Sequence, residues 1–141
     1  MRYFTKEWFA FCQMKNPQPS DIERMNEASK NYRVALQGQD IPLPLQNRFF
    51  TLHDYPIIDG EMSENNFVLR IEDYDRKKSE IRISFHDARV KKQDAPLDGC
   101  DWLYSELYRH YLGYEVHILS QKRKGLDLVE LIIQCRDISV K

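Results

Sequence analysis

The chain has 141 residues, 42% hydrophobic and 30% charged, the make-up of one globular domain large enough to bury a core without staples. Its 21 basic and 22 acidic residues give a formal net charge of −1. With 7 basic and 5 acidic residues up to position 50, and 14 and 17 beyond it, neither part has the basic excess that phosphate contacts demand, so no nucleic-acid partner is expected.

Residues 5–15 read as a short helix. Thr5 can cap it, and Trp8, Phe9, Phe11 and Cys12 supply apolar surface at helical spacing. Trp8 is expected in the core. Asn16-Pro17-Gln18-Pro19 stops the helix. Ser20-Asp21-Ile22-Glu23 fits a capping box and opens a second helix to about Gln37. Ile22, Met25, Ser29, Tyr32, Ala35 and Leu36 form its inward stripe, and Gly38 is the stop. Ile41-Pro42-Leu43-Pro44-Leu45 reads as a rigid connector, too rich in proline for strand or helix. Residues 1–48 are thus the helical part.

Over residues 49–141 the period becomes two. Phe67, Leu69 and Ile71 alternate with Val68, Arg70 and Glu72. The same holds for Ile81, Ile83 and Phe85, for Tyr114, Val116 and Ile118, and for Val129, Leu131, Ile133 and Cys135. Asp73-Tyr74-Asp75-Arg76-Lys77-Lys78 and Gln121-Lys122-Arg123-Lys124-Gly125 are polar links of hairpin length. Trp102–Tyr108 fits an aromatic strand or one set of helical turns; its tyrosines and the turn at Leu112-Gly113 favour the strand. The expected fold is one α+β domain, with two N-terminal helices packed on a mainly antiparallel, twisted sheet of about five or six strands.

The opening Tyr3-Phe4-Thr5-Lys6-Glu7-Trp8 resembles the start of an uncharacterised family of small proteins common in Gram-positive bacteria. Trp102-Leu103-Tyr104-x-Glu106-Leu107-Tyr108, Gly113-Tyr114-Glu115-Val116-His117-Ile118-Leu119 and Glu130-Leu131-Ile132-Ile133-x-Cys135 are similar to its C-terminal part. The resemblance implies a fold type and a bacterial cytoplasmic setting, and it supplies no catalytic residues.

Several residues carry potential chemistry. Glu115 and His117 share one face of a strand, and His86 points to the polar side of its own, so the three form a metal or acid–base site if those strands adjoin. A solvated outer face explains them equally well. Phe50–Ile57 echoes Ser84–Val90 through a His-Asp pair in each. Neighbours on a strand point to opposite faces, so neither pair suits a shared metal; Asp in a turn is the plainer account. Cys12, Cys100 and Cys135 have no close pair, make neither a disulfide framework nor a zinc site, and are expected as free thiols. No glycine loop for a nucleotide is present, and no cofactor is expected. No apolar run reaches the roughly 18 residues of a membrane span. Tyr104 and Tyr108 sit in an aromatic cluster with Trp102, Tyr111 and Tyr114, residue types that serve both cores and protein interfaces.

The resulting expectation is a non-catalytic, cytoplasmic protein-interaction module, with an immunity-type role as one version by analogy. Its candidate binding residues are His86, Glu115, His117, Tyr104 and Tyr108. The alternative is a metal-binding protein or hydrolase using His86, Glu115 and His117. The oligomeric state is left open.

Overall fold

Alternation of apolar and polar residues builds most of the molecule. The computed structural model describes residues 1–73 and 79–141; the polar link expected at 73–78 lies outside them except for Asp73. Among the described residues three helices precede eight strands. The helices are α1 (Lys6–Cys12), α2 (Pro19–Gln37) and α3 (Leu43–Phe50). The strands are β1 (Pro56–Ser63), β2 (Asn66–Glu72), β3 (Glu80–His86), β4 (Arg89–Gln93), β5 (Cys100–His110), β6 (Gly113–Lys122), β7 (Leu128–Cys135) and β8 (Asp137–Val140). The class is α+β, as expected.

All eight strands belong to one antiparallel sheet, in the order β4-β7-β6-β5-β1-β2-β3-β8. The count is eight rather than five or six because two long segments are each broken in two. β3 runs into β4 through Asp87-Ala88, and β7 runs into β8 through Arg136. Their ladder continues across both breaks. His86 faces Asp137, and three residues further on Arg89 faces Gln134. The Arg136 N–H donates to the His86 carbonyl at 2.8 Å between them. The two ends of the strand order are therefore one ladder, and the sheet closes on itself as a barrel. Closure removes most of the unpaired edge that an open sheet of this width would leave.

Phe67, Leu69, Ile83, Phe85, Val116, Ile118, Leu131 and Ile133 are all buried, as the alternation predicts. They meet Trp102, Leu107 and Leu97 in one core cluster. The aromatic segment is strand, not helix: Tyr104 to His110 pair residue by residue with Leu119 to Gly113.

The helices depart from expectation in three places. The second begins at Pro19, which fits a first helical turn because its missing N–H is unpaired there in any case. Its box is formed by Gln18 and Asp21, the Asp21 carboxylate accepting the Gln18 N–H at 2.9 Å, and not by Ser20 and Glu23. Its buried residues are Ala28, Tyr32 and Leu36, while Ile22 is exposed. The proline-rich connector becomes α3. Pro42 and Pro44 occupy its cap and first turn, where proline costs no hydrogen bond. This turn delivers Phe49 into the core, edge-on to Trp102 at 5.6 Å. Thr5 caps α1 as expected, its hydroxyl oxygen accepting the Trp8 N–H at 3.0 Å. Trp8 itself is half-buried. Its indole N–H reaches the Met25 carbonyl at 3.0 Å and its ring meets Tyr104 edge-on at 5.0 Å.

Candidate functional site

The outer face of β5, β6 and β7 carries the densest set of ionisable groups, and it is not solvated. Residues 1–4 lie across it as a strap. Glu106 of β5 is fully buried. One of its oxygens accepts the Arg2 N–H at 2.8 Å and the Tyr108 hydroxyl at 2.5 Å. The other accepts the N–H groups of Tyr3 at 3.0 Å and Phe4 at 2.8 Å. Four donors on one carboxyl group make it an acceptor only. Burial and the bond to Glu106 push the Tyr108 hydroxyl far above the ordinary tyrosine range. The Arg2 guanidinium covers the Tyr108 ring at 4.1 Å.

Further along the strap, Glu130 of β7 accepts the Met1 ammonium at 2.7 Å and Lys92 at 3.2 Å. The Glu130 N–H donates to Asp94, which pairs with Lys6 at 2.7 Å. Burial works to raise Glu130, but the Met1 ammonium and Lys92 outweigh it and hold the carboxyl below its usual range. These charges are spent on fastening the chain's first residues to its last long strands.

Glu115 and His117 do come together, at 2.9 Å between Oε2 and Nε2. His117 was expected on a solvated side, but the strap leaves it only 6% exposed. Its Nδ1 is buried with no hydrogen-bond partner. A bare ring nitrogen there is tolerable, whereas an N–H would be an unmet donor. Neutral His117, donating from Nε2 to Glu115, satisfies the geometry. Burial accordingly lowers its pKa, against the opposing pull of Glu115. Glu115 is raised by burial but lowered more by the bonds from Gln134 and His117. The other charged groups facing the pair are Arg2, the Met1 ammonium and Glu106.

A pH dependence follows. A group with a depressed folded pKa contributes stability above its unfolded value and loses it as pH falls through the folded one. His117 starts this loss below about pH 6.5. Glu115, Glu130 and Asp94, all depressed, extend it below about pH 4.5. Urea midpoints should therefore be lower at pH 5.5 than at pH 7, and His117→Gln should flatten that interval. Equal wild-type midpoints at the two values would contradict a buried neutral imidazole.

His86 is not part of this cluster. It ends β3, and its Nε2 lies 2.8 Å from the Ser139 hydroxyl on β8; among the described residues β6 pairs with β5 and β7 and not with β3. The two His-Asp pairs share a backbone reason instead. Asp54 and Asp87 both have positive φ, 67° and 51°, a left-handed conformation that Asp accepts more readily than most residues. Each pair marks a sharp turn, after α3 and between β3 and β4. Among the described residues no group of three or more His, Cys, Asp and Glu is placed to hold a metal ion. All three cysteines are free, and burial pushes the Cys135 thiol up to about 12. No helix of the described residues is long and apolar enough to cross a membrane.

Tyr104 stands apart from Tyr108, stacked on Phe4 at 4.9 Å between Trp8 and His53. At the other end of β5 the hairpin to β6 turns at Tyr111-Leu112. Tyr111 is 90% exposed. His110 Nδ1 accepts the Leu112 N–H at 3.2 Å, and the His110 and Tyr111 rings lie 4.4 Å apart. Tyr111 and Leu112 line a surface cavity with Asp87, Arg89 and Arg136.

The residues that sequence reasoning passed over are Glu106 and Glu130. Each is a lone acid within an otherwise apolar or aromatic strand segment, which is the signal that it meets donors from elsewhere. No family model matches this chain, and neither a curated protein nor a solved structure matches it.

Proposed function

We propose that the chain is a non-catalytic protein-interaction module that engages its partner through the tip of the β5–β6 hairpin. The carrying observation is Tyr111, displayed at 90% exposure on a turn that the His110–Leu112 hydrogen bond holds. Beyond its contact with the His110 ring, a large aromatic so exposed on a braced turn buries little surface in its own fold. Leu112 extends the apolar centre, and Arg89 stands on its rim, while Arg136 beside it is paired with Asp87 at 3.7 Å. Tyrosine and arginine are the residue types on which interface energy concentrates. The surface fits a loop that offers one apolar side chain to Tyr111 and Leu112 and one carboxylate to Arg89. The groups an enzyme reading needs favour the same conclusion: Glu115 and His117 are engaged with one another and with Gln134 beneath the strap. A neutralising, immunity-type role is one version of this reading, by analogy with small, acidic-leaning single-domain bacterial proteins.

The test compares capture from an extract of the source cell by immobilised wild type and by Tyr111→Ala. A hot-spot truncation costs roughly 2 kcal/mol or more, about thirtyfold in affinity. A partner held by the wild type should be lost from the variant, with the thermal midpoint unchanged. Equal capture by both would remove the tip from the function.

A further inference from the structure

β5 is paired with β1 over only two residues, Pro56 with Asp101 and Ile57 with Cys100. From Trp102 onward the barrel is split along that edge, and other groups close it. The Trp102 N–H donates to the Tyr55 carbonyl at 2.9 Å, and the Asp54 N–H to the Trp102 carbonyl at 2.6 Å. His53 donates from Nδ1 to the Leu103 carbonyl. The Leu107 N–H donates to the Tyr32 hydroxyl at 2.7 Å, and the Arg109 N–H to Gln39 at 2.6 Å. Strand alternation puts the N–H and C=O of Ser105 on this same edge, between the groups of Leu103 and Leu107. No hydrogen bond from another described residue reaches them. The extra residue of a bulge, at the register shift between Trp102 and Tyr104, lies just beside them, a device often found next to binding sites.

This gap opens into a cavity of about 280 Å³ lined by Phe4, Trp8, Phe50 and Tyr104. Arg33 stands at its wall, its guanidinium 5.1 Å from the centre of the Phe50 ring. Among the described residues Arg33 forms no ion pair, whereas Arg70, Arg82 and Arg123 each have a carboxylate. Among the described residues the site thus combines aromatic walls, one open peptide edge and one exposed cation without a carboxylate.

We propose that this cavity binds a planar aromatic carboxylate of one or two rings. Phe4 and Tyr104 are already stacked on one another, so the ring packs against the open edges of Trp8, Tyr104 and the exposed Phe50, where edge-on aromatic contacts are favourable. The carboxylate takes the paired N–H groups of Arg33, whose fork matches it. A ring N–H or ring acceptor completes the peptide edge at Ser105. The volume lies just below the usual range of ligand pockets, about 300–1,000 Å³, which limits the occupant to a small planar molecule.

Calorimetric titration with indole-3-carboxylate and with the neutral indole-3-carboxamide tests this. The acid should bind at least about tenfold more tightly than the amide. Arg33→Ala should erase that difference and leave the amide's affinity unchanged. Ser29→Phe, which narrows the cavity from α2, should weaken both by at least about tenfold while the circular dichroism stays that of the wild type. Equal affinity for acid and amide in the wild type, no heat from either at millimolar concentration, or full binding by Ser29→Phe would each overturn the proposal.

Discussion

Replacing Glu106 by alanine should remove about 3–5 kcal/mol of stability, the range for taking one partner out of a buried charged network. The side chain is fully buried and accepts three backbone N–H groups and the Tyr108 hydroxyl. Alanine strands all four donors, those of Phe4 and Tyr108 buried and those of Arg2 and Tyr3 partly so, and each unmet buried donor costs about 1–3 kcal/mol. The total stays below that sum because the strap can lift away and rehydrate. Lifting has its own cost, since Phe4 is buried against Tyr32 and Tyr104. For a chain of this size the thermal midpoint should fall by roughly 10–15 °C. Equilibrium urea unfolding measures the loss, with Arg2→Ala as a comparison that keeps the backbone donors. A loss below about 1 kcal/mol would mean that the strap is not part of the folded unit.

The second large effect is expected at Gly113. Its φ is +142°, and an added Cβ would lie 2.3 Å from the Arg136 carbonyl oxygen and 2.5 Å from that of Cys135. Both are backbone atoms at the break between β7 and β8, where the barrel closes, so neither can turn aside. Gly113→Ala should cost about 2–4 kcal/mol through strain and overpacking together. Gly125 is the control. Its φ is +87° with nothing within 4 Å of the added atom, so Gly125→Ala carries only the conformational cost, about 1 kcal/mol. Equal losses at the two positions would show that the close approach at Gly113 is relieved by movement of the ladder.

How much of this was legible in the residues depends on the distance over which each pairing acts. Ile83, Phe85, Val116, Ile118, Leu131 and Ile133 announce their burial by alternation alone, because side-chain direction along a strand is a local property. Thr5 is readable for the same reason. Closure of the barrel is not local. Nothing around Asp87 or Arg136 reveals that β3 and β4 face β8 and β7 in one register. α3 was hidden because a helix needs only its interior free of proline, and Pro42 and Pro44 sit at its start. At the candidate sites, the approach of Glu115 to His117 followed from a spacing of two on a strand. The burial of that pair did not, because residues 1–4 cover it from the far end of the chain. Whether His86 stands beside that pair could not be read, because strand adjacency is not written in either strand. The open edge at Ser105 was invisible as well, since it arises from β1 being too briefly paired to cover β5.

The strap sets an order of assembly. Met1 is held by Glu130, 129 positions away, and Arg2 by Glu106, 104 positions away. Contacts of such separation form only after the intervening chain has been gathered, and they slow folding relative to local ones. α2 can form within its own nineteen residues. The first four residues have nothing to bind until β5 and β7 lie side by side. Residues 1–4 are therefore among the last to dock, a latch that shuts over β5 and β7 once both are in place.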